Sequence, residues 1–169
     1  MSDYKIIDNF LPKEDFDKIF DIINADHFNW FFNNNITFWK DKNSEKKHYW
    51  YCTHTLFKKI PTSHHFDNIF EVFKKKSEVM NLYQLHRMKI NWYPYVEKFE
   101  EHEYHFDYEY QHKGALFSLN TCDGYTKLED GTKIESVANR MLFFNPSKLH
   151  CSTFTSNSQR RLNINFNYF

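Results

Sequence analysis

Apolar residues recur at the helical period in the first half of the chain and alternate at the strand period in the second. Phe16, Ile19, Phe20 and Ile23 share one face of a helix. Pro12 just ahead of them, followed by Glu14 and Asp15, suits a first helical turn. Phe66, Ile69, Phe70 and Phe73 mark a second helix over residues 64–76. Its lysine run, Lys74 to Lys76, falls at the end where positive charge is favoured, and reads as capping rather than as a nucleic-acid patch. Residues 4–7 predict a short strand. Residues 28–57 are irregular and aromatic, with Trp30, Phe31, Phe32, Phe38, Trp39, Tyr49, Trp50 and Tyr51 flanking a polar tract, 40–47, that reads as a solvated loop. These aromatics are expected in the core, with the wall of a substrate cleft as the alternative.

Beyond residue 84 the period changes. In residues 85–93, Met88, Ile90 and Trp92 alternate with Arg87, Lys89, Asn91 and Tyr93, and Pro94 ends the run. Strands are expected at 104–110, 115–120, 133–137, 140–145, 151–155 and 161–168, with Asp123-Gly124 and Asp130-Gly131 as turns around a further short one. Helices followed by about eight short strands predict a mainly β jelly roll, a double-stranded β-helix of the cupin type, with the N-terminal helices packed on one sheet. The 169 residues suit one domain, 1–169, in which 1–84 support a β core at 85–169.

Composition excludes more than it assigns. Lys and Arg total 22 against 22 Asp and Glu, so no global basic field exists to hold nucleic acid. Three cysteines, Cys52, Cys122 and Cys151, fall in no CxxC pair and predict no disulfide framework, which suits a reducing cytoplasm. The opening MSDYKIIDNF has neither a signal-peptide pattern nor a membrane-length apolar run.

The candidate chemistry starts at Tyr104-His105-Phe106-Asp107. On an extended strand the side chains of His105 and Asp107 leave the same face. One imidazole and one carboxylate leave room for a third ligand, and two histidines with one carboxylate suit iron with open coordination positions. His112 follows too closely, in a turn, and His102 is expected on the rim. His150 comes after the apolar strand 140–145 and its proline turn, across the barrel from His105. The last strand alternates Arg161, Asn163, Asn165, Asn167 with Leu162, Ile164, Phe166, Tyr168. Its polar face is expected towards a pocket, so Arg161 points inward and Arg160 outward. An inward guanidinium suits a carboxylate through paired charge-assisted hydrogen bonds.

His105-x-Asp107, His150 and Arg161, in that order, resemble the Fe(II)/2-oxoglutarate-dependent dioxygenases, in particular the prolyl-4-hydroxylase-like branch that includes small phage and marine bacterial enzymes. Similar features are Asn91-Trp92-Tyr93-Pro94, Leu116-Phe117-Ser118-Leu119-Asn120, Asp123-Gly124-Tyr125-Thr126, the run from Asn139 to Phe144, and the ending from Asn165 to Phe169. The resemblance implies Fe(II) on His105, Asp107 and His150, and 2-oxoglutarate with its far carboxylate on Arg161 and hydrogen bonds from Tyr93 and Asn91. It implies O2 as oxidant, ascorbate as an optional reductant, and a peptidyl prolyl or similar side chain, or a small molecule, as substrate. Residues 95–103 and the aromatic N-terminal half would contact that substrate. For a phage-encoded protein the compartment would be the host cytoplasm. Two positions depart from the branch: Asp123-Gly124 replaces a glycine pair, and Ser118 replaces an aromatic. The alternatives are an AlkB-like nucleic-acid demethylase, whose last strand carries a second arginine where Asn167 stands, and a non-catalytic cupin-like metal-binding module.

Overall fold

Asparagines on one face of the final strand and large apolar residues on the other place that strand between two different environments, and the rest of the fold follows from it. The computed structural model describes residues 4–37, 46 and 48–169. Phe38, Trp39 and, apart from Lys46, the polar tract expected to form a loop lie outside the described residues. The first half forms β1 (Tyr4–Ile7), α1 (Lys13–Asn24), β2 (Phe31–Asn33), β3 (Tyr51–Lys58), β4 (Ile60–Pro61), α2 (Phe66–Lys74) and α3 (Ser77–Met80). The second forms β5 (Leu85–Pro94), β6 (Lys113–Ser118), β7 (Tyr125–Leu128) and β8 (Lys133–Glu135). It ends in β9 (Arg140–Phe144), β10 (His150–Cys151) and β11 (Arg160–Tyr168).

The main sheet has the order β1-β9-β6-β11-β5-β3-β2, with β4 paired to β3, and a smaller sheet has the order β10-β7-β8. All pairings between named strands are antiparallel. β11 therefore sits near the middle, hydrogen-bonded to β5 on one side and β6 on the other. Its even residues Leu162, Ile164, Phe166 and Tyr168 join one core with Ile19 and Ile23 of α1 and Ile69, Val72 and Phe73 of α2. Phe73 packs edge-on against both Phe117 of β6 and Phe166, with ring centroids 5.1 and 4.8 Å apart. Full burial of such side chains contributes about 1.5–3 kcal/mol each, which fixes the helices on the outer face of the main sheet. The other face looks towards the small sheet.

Several expectations are corrected. The N-terminal half adds β1, β2, β3 and β4 to the main sheet, of which only β1 is expected as a definite strand. The second helix stops at Lys74 and restarts as α3, which ends on Asn81 in the left-handed region at φ 53°. Lys74 and Lys75 pair with Glu71 and with Asp15 of α1. Residues 104–110 are not a strand. They contribute one isolated bridge, His105 to His150, after which the Asp107 amide donates to the Pro146 carbonyl. The chain turns at Asn145-Pro146, so residues 106–110 face no strand with which to pair, and Pro146 has no N–H to offer. Likewise β10 is only His150–Cys151, extended by single bridges from Thr153 to Glu101 and from Thr155 to Tyr95.

Candidate active site

Between the sheets lies a cavity of about 470 Å³, counted with its opening to solvent. From the main sheet, β5 sends Lys89, Asn91 and Tyr93 into it, and β11 sends Asn163 and Asn165. The other wall carries His105, Asp107, Thr126, His150 and Ser152. Strand alternation thus delivers the polar residues of β5 and β11 to one face, as their period implies.

His105, Asp107 and His150 converge. Each offers a ligand atom, and these atoms lie within 4.8 Å of one another. The mutual backbone hydrogen bonds of His105 and His150, each 2.9 Å, set the two imidazoles side by side across the small sheet's edge. Each ring is oriented through Nδ1, against the carbonyl of Glu103 for His105 (3.3 Å) and of Lys148 for His150 (3.0 Å). That leaves Nε2 as the free donor atom, the arrangement that orients metal-binding imidazoles. Burial, reinforced by the neighbouring His150, pushes His105 down to about 4, so the ring is neutral at ordinary pH.

Asp107 is held from β11 and β5. Its Oδ2 accepts from Asn167 Nδ2 at 2.8 Å and Asn165 Nδ2 at 3.2 Å, and its Oδ1 lies 3.0 Å from Arg87 Nη2. Burial by itself would raise its pKa. Arg87, then His150 and the Asn167 hydrogen bond, outweigh burial and hold the carboxyl ionised well below the usual carboxylate range. Behind Asn167 stands His112, whose Nε2 is 3.1 Å from Asn167 Nδ2 and whose Nδ1 meets the Tyr110 carbonyl at 2.9 Å. His112 is thus a support for Asp107, two bonds removed from the cluster.

Arg161 points inward and is only 1% exposed. It crosses from the main sheet to the small one. Nη1 donates to Ser152 Oγ (2.6 Å) and to the Thr153 carbonyl (3.2 Å), and Nη2 donates to Thr126 Oγ1 (3.1 Å). Its Nε finds no partner, and no carboxylate pairs with it among the described residues. A buried guanidinium held only by neutral oxygens leaves its charge uncompensated, at a cost of several kcal/mol. Close approach at Gly124 makes room for it: a Cβ there would sit 2.5 Å from Arg161 Cδ and 2.8 Å from the Phe154 carbonyl oxygen. Arg160 faces the opposite way and donates to the side chain of Asn24 at the end of α1.

Tyr93 is buried, stacks on Tyr51 (5.5 Å, 11°), and has the Arg161 guanidinium 5.7 Å from its ring centre. Asn91 donates to Asn163 Oδ1 at 2.9 Å, leaving its own Oδ1 unpartnered. His102 is not on the rim. It is 3% exposed, packed against Phe154, Tyr93 and Tyr49, and neither ring nitrogen has a partner. Burial, with Arg161 nearby, keeps it neutral. The bridge of Glu101 to Thr153 and the hydrogen bond from the His102 amide to the Ser152 carbonyl (2.9 Å) hold this segment against the small sheet with His102 turned inward. Alternation puts Arg87 and Lys89 on the polar face of their strand but gives neither a role. The ion pair of Arg87 with Asp107, and the position of Lys89 in the cavity wall, appear only once residues 105–107 are folded over β5.

No protein-family model matches the chain, and no curated protein is significantly similar in sequence. Solved structures are similar. A Pseudomonas putida prolyl-4-hydroxylase matches with a TM-score of 0.64 at 12% identity, over 99% of this chain and 93% of that one. A Trichoplax adhaerens prolyl hydroxylase, solved with a peptide fragment of the hypoxia-inducible factor oxygen degradation domain, matches at 0.69 and 15%, over 99% and 83%. An oxidoreductase of the 2OG-Fe(II) oxygenase family from Burkholderia pseudomallei matches at 0.66 and 8%, over 98% and 84%. The chain therefore has the jelly-roll fold of the prolyl hydroxylases and the 2-oxoglutarate–Fe(II) oxygenases.

Proposed function

We propose that the chain is an Fe(II)- and 2-oxoglutarate-dependent dioxygenase that hydroxylates a prolyl or similar side chain, with 2-oxoglutarate decarboxylated to succinate and CO2. The observation that carries this reading is Arg161, a buried cation without a carboxylate partner among the described residues. It holds Ser152 and Thr126, which line the same cavity as a cluster of two imidazoles and a carboxylate. A structural zinc site is ordinarily closed by four protein ligands, and it would have no use for such a cation. Two nitrogen donors and one oxygen donor on one side of a cavity suit non-haem Fe(II) instead.

In this reading His105, Asp107 and His150 hold the metal, and Arg161 binds the far carboxylate of 2-oxoglutarate. Tyr93 and Asn91 act as hydrogen-bonding partners along the way. Bound iron supplies Lewis acidity and, with O2, the oxidising chemistry. Arg87, Asn165 and Asn167 keep the Asp107 carboxylate ionised and aimed, and the Glu103 and Lys148 carbonyls keep each Nε2 free for the metal. Ascorbate belongs to the same reading as a reductant. A peptide substrate is supported by likeness to the Trichoplax adhaerens enzyme, which was solved with one. The demethylase reading gains nothing from the site, where Asn167 is engaged by Asp107 and His112. The test is succinate formation from 2-oxoglutarate with Fe(II) and O2, first without and then with a panel of proline-containing peptides. Succinate that requires iron and disappears in Asp107→Ala supports the proposal; no succinate from the wild type, or an unchanged yield in Asp107→Ala, overturns it.

A further inference from the structure

One cation in the cavity is left without a task by this reading. Lys89 lines the cavity from the middle of β5, between Arg87 and Asn91 on the same face. Arg87 is spent on Asp107 and Asn165, and Asn91 on Asn163. Lys89 makes no hydrogen bond or ion pair among the described residues. Its Nζ sits 5.5 Å from the centre of the Tyr51 ring. Burial, followed by repulsion from Arg87, pushes its pKa down to about 7. The residue is partly buried, and Asp107 attracts its amine without pairing with it, so the charge is open to a further partner.

The position of Lys89 says what that could be. It is paired with Asn165 in register, whereas Arg161 is paired with Tyr93. Their backbone positions are therefore four residues apart along β5, roughly 13 Å, which leaves room for two separate carboxylates. Both the support of Asp107 (Asn165, Asn167) and Arg161 come from β11. The Lys89 amine instead leans over Tyr51 of β3, on the far side of β5 from β11. On that side the wall is N-terminal, where Ile36 lines the cavity and shares a core cluster with Tyr49 and Tyr51.

We propose that Lys89 anchors a carboxylate carried by the primary substrate, so that the molecule oxidised is an acid, such as a free amino acid or a peptide presenting a carboxylate beside the reacting carbon. The inference rests on the dioxygenase reading above and names the substrate class for it. A charge-assisted hydrogen bond from an ammonium to a carboxylate in a partly desolvated site discriminates strongly against the neutral amide.

The experiment uses full-length protein with Mn(II) and 2-oxoglutarate in the absence of O2, titrated with matched acids and amides: L-proline and prolinamide, a dipeptide ending in proline and its amide, acetate and acetamide. Binding is read by calorimetry and by thermal shift. The acids are expected to bind at least tenfold more tightly than their amides in the wild type and in Lys89→Arg. In Lys89→Met and Lys89→Gln the difference should vanish while affinity for 2-oxoglutarate stays within a factor of three. Acids and amides that behave alike in the wild type, including a panel in which neither binds, overturn the proposal. So does a tenfold loss of 2-oxoglutarate affinity in Lys89→Met, which would assign the amine to the co-substrate. Failure of 2-oxoglutarate to bind the wild type with metal would instead refute the dioxygenase reading, and the acid–amide comparison would then be decided on the Mn(II) protein alone.

Discussion

At the scale of single residues, the two adjacent arginines give the sharpest contrast. Arg161 is buried over the cavity wall and Arg160 reaches the end of α1. Losing charge-assisted bonds to a carboxylate costs about 1.5–3 kcal/mol, so Arg161→Ala should weaken 2-oxoglutarate binding roughly ten- to a hundredfold. Arg160→Ala should leave it unchanged, and calorimetry separates the two. Gly124→Val should act on the same affinity indirectly, because its side chain must displace Arg161 or the Phe154 carbonyl; metal affinity should survive in that variant. His105 supplies a pH prediction. Its folded value near 4 lies below the roughly 6.5 of an unfolded histidine, so between those values the unfolded chain binds more protons. Stability is then greatest above about 6.5 and declines as pH falls towards about 4. His54, His65, His86 and His102 are lowered too. The urea midpoint of metal-free protein should therefore fall across this window, less steeply in His105→Gln. A flat midpoint would contradict the assignment of neutral, buried imidazoles.

At the scale of elements, β11 divides stability from chemistry by alternation. Ile164→Ala or Phe166→Ala removes a side chain from the core shared with α1 and α2 and should cost about 2–5 kcal/mol in urea unfolding. Asn165→Ala and Asn167→Ala remove hydrogen bonds to Asp107, and loss of such supporting partners lowers metal affinity about ten- to a hundredfold. The face assignment was legible because a period of two over Arg161 to Tyr168 has one reading. The same held for Arg87, Lys89, Asn91 and Tyr93 on β5. Residues 104–110 misled the reading because their aromatic and polar residues also alternate, although only His105 has a pairing partner. His102 misled it because separation from His105 along an expected strand does not say which way a single residue beside a bridge turns.

At the scale of the whole molecule, two helices brace one face of the main sheet and the small sheet covers the other, which leaves a polar cavity between layers that are otherwise apolar. The three candidate ligands could be picked out along the chain, but their convergence within 4.8 Å depends on folding residues 105–107 against His150 and β11. Among the described residues no helix is long and apolar enough to cross a membrane. The central claim is that the metal cluster and Arg161 form one site. Calorimetric titration of 2-oxoglutarate into full-length protein, with and without Mn(II), tests it most directly. Binding should require the metal, vanish in Asp107→Ala, weaken in Arg161→Ala and persist in Arg160→Ala. Binding that ignores the metal, or that survives unchanged in Arg161→Ala, would contradict it.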